Sequence, residues 1–241
     1  MNFTSKSNFI EVRDLATIKD QELARKIFDI TWRIEFGTEI TPNLLQAMVH
    51  SGSYLSGAYI DNKIVGAAFA FPATSNGLHL HSHMTAVLDG YRDMGVGYAL
   101  KIDQWNWAKK NNFPHLSWTF DPLVRRNAKL NIVKLGVDIS GYYPNFYGEM
   151  PDALNAGDES DRLMVSWPTD LDAPKARELI TNLEPGDVLI EIPVDIVAIR
   201  SKNQSESMKW RKQVREQFMA AFEKNGKVIG FSANNEYVVR I

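Results

Sequence analysis

The chain has 241 residues, 44% of them hydrophobic and 23% charged, with a formal net charge of -2 and no cysteine. That length holds one large domain or a medium one with an appendage, and the apolar share is enough for a real core. The charge balance argues against non-specific nucleic-acid binding, which needs a basic surface, and the lack of cysteine excludes disulfides, thiolate metal sites and a cysteine nucleophile.

The N-terminal stretch through Leu15 has no apolar signal-peptide core, and no segment approaches a membrane span. The expectation is a soluble, cytoplasmic protein without a membrane partner. Residues 9–12 read as a short strand. Asp20 is placed to cap a helix in which Leu23, Ile27, Ile30 and Ile34 recur at helical spacing. Thr41-Pro42 opens a second, short helix, with threonine suited to the cap and proline to the first turn. Residues 54–60 and 63–71 flank Asp61-Asn62, a β-hairpin signal. After a turn over residues 72–77, a strand from Leu78 to Leu88 leads into Arg92-Asp93-Met94-Gly95-Val96-Gly97. The helix that follows, Val96 to Lys110, is apolar on more than one side and so is expected to be covered on more than one. Leu116 to Phe120 reads as a strand ended by Asp121-Pro122, and Asn127 to Leu135 as a short helix stopped by Gly136. Residues 137–147 are aromatic and turn-rich. The acidic stretch from Pro151 to Asp161 reads as an exposed loop.

A domain over residues 1–168 and a separable extension over 169–241 are expected. In the extension we predict a helix around 174–183, a strand over 188–192, an amphipathic helix and one or two closing strands within 227–241. In the amphipathic helix Trp210, Val214, Phe218 and Phe222 repeat every four residues, a packing stripe closed by Asn225-Gly226.

The strand-to-helix junction is the most informative stretch. Its two glycines, lacking Cβ atoms, let a ligand approach the backbone. The first-turn N–H groups of a helix have no intrahelical partners and sit at the positive end of its dipole. A pyrophosphate would satisfy them, and Arg92 adds charge. Taken alone, a Gly-x-Gly before a helix more often marks only a tight turn.

The order strand, two helices, hairpin, strand, glycine loop, helix, strand, helix resembles the GNAT N-acyltransferases. The signature Gln or Arg, two residues, Gly, one residue, Gly or Ala is filled by Arg92-x-x-Gly95-x-Gly97. Ala86 to Arg92 resembles the strand end and turn leading into that loop, and Ala128 with Lys134-Leu135-Gly136 is similar to the next block. The resemblance covers roughly residues 8–150. It implies a mixed α/β fold with a mostly antiparallel central sheet, helices on both faces and a C-terminal α/β extension.

It also implies acetyl-CoA as co-substrate and no metal. Backbone N–H groups of Asp93, Met94, Gly95, Val96 and Gly97 would hold the pyrophosphate. The main chain at Val87 and Leu88 would pair with the pantetheine arm, aiming the thioester between the strand ending near Val87 and the one ending near Phe120. An N–H at Val87 or Leu88 would serve the oxyanion. The acceptor would be the amine of a small molecule, such as an amino acid.

His79, His81 and His83 alternate along one strand and are expected on one face. The resemblance makes His81 the preferred general base, with His79 and His83 as alternatives; a solvated row, or a His-x-His metal site, are the other readings. Counting from Gly136, the family's acidic tyrosine falls on Ile132, so the acid is missing or comes from elsewhere. Tyr143 is the candidate among Tyr142, Tyr143 and Tyr147, against the alternative that all three pack. Asn127 and Asn131 share a helix face and are candidates for contact with the pantetheine arm, or ordinary solvated residues. Trp32, Glu35 and Phe36, at the end of the first helix, would border the acceptor, with Trp32 equally suited to the core. The acidic stretch Asp158 to Asp161 leaves room for a basic acceptor, and an exposed edge strand for a homodimer. A non-catalytic acyl-CoA-binding module on the same fold is the alternative function.

Overall fold

In the computed structural model, which describes residues 9–34, 37–75, 77–148, 150 and 157–241, the first helix starts earlier than Asp20. Helix α1 runs Ile18–Trp32 with Thr17 as its cap: the Thr17 hydroxyl accepts from the Asp20 N–H while the Asp20 carboxylate accepts from the Thr17 N–H. Asp20 is thus the third helical residue of a capping box, a role that an acidic residue there shares with the cap position in sequence. Helix α2, Pro42–His50, begins at Thr41-Pro42 as read from the sequence.

Two compact units divide the chain, Met1–Pro114 and His115–Ile241, so residues 115–168 cluster with the C-terminal elements. In the first unit, strands β1 (Glu11–Asp14), β2 (Tyr54–Ile60), β3 (Lys63–Ala73) and β4 (His79–Val87) pair antiparallel in chain order. The β2–β3 turn has positive φ at both Asp61 and Asn62, 50° and 60°, the backbone of a two-residue hairpin loop that asparagine and aspartate tolerate. Helix α3, Val96–Lys110, follows β4.

Alternation along β3 and β4 places helices on opposite faces. Ala67, Phe69, Met84 and Ala86 form one core with Leu15, Ala24, Ile27 and Phe28 of the α1 side. Gly66 turns the other way, where a Cβ would lie 3.0 Å from Val96 Cγ1 and 3.3 Å from Leu100 Cδ1 of α3.

In the second unit, β5 (His115–Phe120) and β6 (Asp138–Tyr143) both pair antiparallel with β7 (Arg162–Pro168). Between β5 and β6, helix α4 (Arg125–Ala128) continues as a π-helical stretch, Lys129–Leu135. A second sheet has the order β8-β10-β9, with β8 Asp187–Glu191, β9 Lys227–Phe231 and β10 Glu236–Arg240. Helices α5 (Ile196–Lys202) and α6 (Gln204–Glu223) lie between β8 and β9 in sequence. All these strand pairings are antiparallel, and both units are mixed α/β.

Two expectations fail here. Residues 174–183 form no helix, because their backbone groups bond elsewhere: Arg177 N–H donates to Val133 C=O and Ile180 N–H to Phe231 C=O, at 2.8 and 2.9 Å. The acidic stretch is not a solvated loop over its described part either. Asp158 and Asp161 are buried, and so they offer no surface to a basic acceptor.

What buries them is α6. Its inner stripe is Arg211, Val214, Phe218 and Ala221, so a guanidinium occupies a core position. Arg211 bonds Asp121 and Asp158, each at 2.9 Å. Arg200 of α5 bonds the same two carboxylates at 2.5 and 2.8 Å. Two positive and two negative groups alternate, none more than 7% exposed. Next to them, Arg215 bonds Asp161 and Glu159, and the Tyr142 hydroxyl donates to Asp161 at 2.5 Å. Burial alone would raise the Asp121 carboxyl, but Arg211 and Arg200 override it and hold it well below the usual carboxylate range.

Replacing one guanidinium leaves a buried charge without its counterpart. Arg211→Met is expected to destabilise the second unit by about 3–5 kcal/mol in urea denaturation, whereas breaking the exposed Lys212–Glu216 pair should change stability by under about 1 kcal/mol.

Candidate active site

The junction from β4 to α3 is wound by three residues with positive φ: Gly90 at 85°, Asp93 at 64° and Gly95 at 91°. Tyr91 N–H closes the first turn on Leu88 C=O at 3.1 Å, and Arg92 pairs with Asp89 at 2.7 Å. Gly95 is the cap of α3 and has no side chain to accept from the first-turn amides; that turn also carries no acidic residue. The cap therefore supplies no side-chain bond to the amides of Val96, Gly97 and Tyr98. Ala99 N–H makes the first helical bond, to Gly95 C=O, at 2.9 Å. The need for glycine at 95 is conformational rather than steric: the nearest atom to an added Cβ would be Ile10 Cδ1 at 3.7 Å, but the backbone angle disfavours any L side chain. Met94 is exposed on the outside of the turn.

Just before the loop, Leu88 N–H donates to Val65 C=O at 2.9 Å. Main-chain groups of an antiparallel strand alternate between its two edges. Val87, opposite Gly66, therefore turns its N–H to the edge of β4 away from β3. Of the two amides proposed for an oxyanion, Leu88's is committed within the sheet and Val87's faces outward from β3.

Further up β4 the register breaks. Phe69 pairs with Met84 but Ala70 with Ser82, so His83 is an extra residue, a β-bulge. Phe71 gathers the neighbouring rings: its centroid lies 5.1 Å from His81 and 5.8 Å from His83. His79 is buried, with Nδ1 2.9 Å from Gly77 O. His83, the most exposed of the three yet partly covered by its neighbours, lines a cleft of about 270 Å³ with Glu39, Ile40, Leu44, Met48, Phe69, Phe71 and Met84. Burial, reinforced by the charges of His83, His79 and Lys101, lowers His81 to about 4; burial also lowers His83. Both rings are thus proton acceptors at neutral pH. On the opposite side of β4, the buried Lys101 amine donates to Ser82 Oγ at 2.6 Å, and burial lowers it to about 7. No group of three or more His, Cys, Asp or Glu side chains suited to a metal occurs among the described residues.

Other sequence candidates are scattered. Trp32 is partly buried against Phe28, centroids 6.0 Å apart, and joins the core; Glu35 and Phe36 lie outside the described residues. Asn131 is buried, its side-chain oxygen accepting from the Trp118 indole at 3.2 Å, while Asn127 is exposed. Ile132 is fully buried. Tyr142 is bonded to Asp161 and Tyr147 to Thr119 Oγ1 at 3.0 Å, and Tyr143 is 41% exposed beside Phe146. Sequence reasoning missed Glu39 and Lys101. A lysine inside the apolar pattern of α3 was the available signal for the second; nothing marked the first.

No family model and no curated protein sequence matches the chain. Solved structures do. The ribosomal-protein-S18-alanine N-acetyltransferase of Escherichia coli superposes with a TM-score of 0.54 at 14% identity, covering 68% of this chain and 97% of that one. An aminoglycoside 6'-acetyltransferase type Ii gives 0.51 at 15% identity over 68% and 98% of the two chains. The NatC complex bound to Gag peptide and CoA gives 0.51 at 14% identity over 66% and 98%. A GNAT-family acetyltransferase of Streptococcus pneumoniae behaves alike, at 0.52. The chain has the GNAT fold.

The lowered His81 has a consequence for stability. The unfolded ring binds a proton near pH 6.5 and the folded one only near 4. Acidification between those values therefore favours the unfolded state, and stability should fall as the pH is lowered through that window. Thermal melts from pH 8 to 4 should show this loss, and His81→Gln should flatten it.

Proposed function

We propose that this GNAT-fold chain is an acyl-CoA-dependent N-acyltransferase that moves an acetyl group from acetyl-CoA to the amine of a small molecule. The observation that carries the reading is the N-terminus of α3 behind Gly95, to which the cap residue gives no side-chain bond, set shortly after a Val87 amide that faces away from β3. Solved relatives in fold include one bound to CoA and others named for acetylating a protein alanine or an aminoglycoside, which supports acetyl transfer while leaving the acceptor open.

In this reading the amides from Asp93 to Gly97 hold the pyrophosphate, with Arg92 at the rim, and the exposed Asn127 touches the pantetheine arm. The amine arrives as an ammonium and must lose a proton before its lone pair can attack the thioester carbon. His83 lines the cleft and stays neutral above its lowered pKa, so we assign it the base, acting through water, with His81 behind it as an acceptor. This moves the preferred base from His81 to its neighbour. The tetrahedral oxyanion takes a bond from Val87 N–H. Collapse breaks the C–S bond, the nitrogen gives up its second proton to solvent, and the CoA thiolate is protonated by solvent or by Tyr143, the tyrosine among the three not tied to Asp161 or Thr119. Holding amine and thioester together supplies the rest of the rate.

Ile132, the position on which the resemblance places an acidic tyrosine, is buried, which favours a second reading: an acyl-CoA-binding module without turnover. Thiol release from acetyl-CoA with a mixed panel of amines separates the two.

Acetyl-CoA at about 100 times its Kd should stabilise the protein by about 2.7 kcal/mol. Gly97→Glu, which places a carboxylate at the first turn of α3, should abolish the CoA-dependent rise in Tm; a full rise in the variant would remove the basis for the site. His83→Gln should cost about 10²–10⁴ in kcat while leaving that Tm shift intact.

A further inference from the structure

We infer that Asp29 is a positioning residue for the amine acceptor: without touching the amine, its carboxylate holds one wall of the cleft beside His83 through Thr38 and the main chain of Glu39. The inference rests on the acyltransferase reading. The cleft has walls of three origins. Phe71 and His83 come from β3 and β4, Leu44 and Met48 from α2, and Glu39 and Ile40 from the segment just before α2. Ladder bonds between the strands fix the first wall, and helical bonds fix the second. Residues 38–40 belong to no helix or strand, so their main-chain groups must be met from elsewhere.

They are met from α1. Glu39 N–H donates to the Asp29 carboxylate at 2.8 Å, and the Thr38 hydroxyl donates to the same carboxylate at 2.9 Å. Ile40 C=O accepts from Arg25 Nε at 3.0 Å, and Thr38 Oγ1 accepts from the same guanidinium at 3.4 Å. Arg25 and Asp29 are four residues apart and so share a face of the helix. The Ile40 side chain is a further anchor, buried in the core cluster on the α1 side. Asp29 is itself held in place. Its C=O accepts the N–H of Arg33 and, at 3.0 Å, that of Ile34, which closes the helix.

The carboxylate does not serve α1. Asp29 lies in the last turn, where negative charge opposes the helix dipole, and no basic residue in that turn offsets it. The helix would do as well with alanine there; the cleft wall would not. Without Asp29, residues 38 and 39 would have to be ordered as the amine binds, a cost that falls on binding and not on the chemical step.

The test starts from 2-phenylethylamine, phenylalaninamide, lysine, spermidine and kanamycin, assayed by thiol release from acetyl-CoA; the best acceptor is carried to the variants. Asp29→Ala should raise KM for that amine about tenfold or more, while kcat and KM for acetyl-CoA change by less than about twofold. Asp29→Asn, which keeps an oxygen for Thr38 and Glu39, should restore most of the loss. Thr38→Val cuts the link from the wall side; it should raise the same KM, and it replaces Asp29→Ala if that variant does not fold. Asp20→Ala breaks the capping box at the other end of α1, so it should lower the Tm and leave the amine KM unchanged. An unmoved amine KM in the Asp29 and Thr38 variants, or an equal rise in Asp20→Ala, would overturn the inference and leave the acyltransferase reading standing. If CoA raises the Tm but none of the five amines is turned over, the module reading is favoured, and the inference falls together with the acyltransferase one.

Discussion

One extra residue in β4 organises the first unit. Below His83, the even-numbered Met84 and Ala86 face the α1 core; above it, the odd-numbered His81 shares the face of Phe71. Had alternation run unbroken, Ser82 and Leu80 would have joined the α1 face and the histidines would have turned toward α3. The bulge therefore does two things at once. It brings His81 beside Phe71 on the face of the cleft that His83 lines, and it gives Lys101 of α3 a partner in Ser82. It does so at the cost of one ladder pairing, which is why bulges survive beside sites rather than inside plain sheet.

The two units treat buried charge in opposite ways. In the first, the buried groups lower their own charge: His81 stays neutral and the Lys101 amine is pushed to about 7, in both cases chiefly by burial. In the second, four fully charged groups are buried together, and each carboxylate answers two guanidiniums. The direction of the shifts follows from the difference. For His81 and Lys101 burial is the largest influence and the neutral form gains; for Asp121 and Arg211, which meet at 2.9 Å, the charged form gains even in the core. The ion cluster ties α5 and α6 to the end of β5 and to the segment around Asp158.

The sequence was most legible where a local rule sets the structure. The Asp61-Asn62 turn, the Thr41-Pro42 start, helix 96–110 and the glycine loop each depend on a few adjacent residues whose backbone preferences agree. The α6 stripe was read correctly as packing, though its buried arginine was not seen. The failures share one cause: the deciding partner is far away in the chain. Residues 174–183 have helical content but give their amides to Val133 and Phe231. Asp158 reads as solvated until Arg211, 53 residues on, is placed against it. The bulge at His83 leaves alternation on each side intact, so no period in the sequence shows the slip. Of the proposed site, the loop was thus visible, the choice between His81 and His83 was not, and the cleft wall at Glu39 had no local mark.

Ile132, the position on which the resemblance places an acidic tyrosine, lies in a stretch that is not α-helical: Lys129–Leu135 is π-helical and bonds one residue further along. Its side chains therefore point in other directions than the same positions would in an α-helix. The stretch is fixed in this form from both ends. Asn131 receives the Val137 N–H on its carbonyl, at 3.2 Å, and the Trp118 indole on its side chain. Gly136 lies so close to the chain at Lys175 that an added Cβ would fall 1.9 Å from that carbonyl oxygen. Glycine is thus demanded here by contact, whereas Gly95 is demanded by backbone angle alone. The π-turn buries Ile132 and occupies Asn131 in the core, so neither side chain is presented to a ligand at this helix.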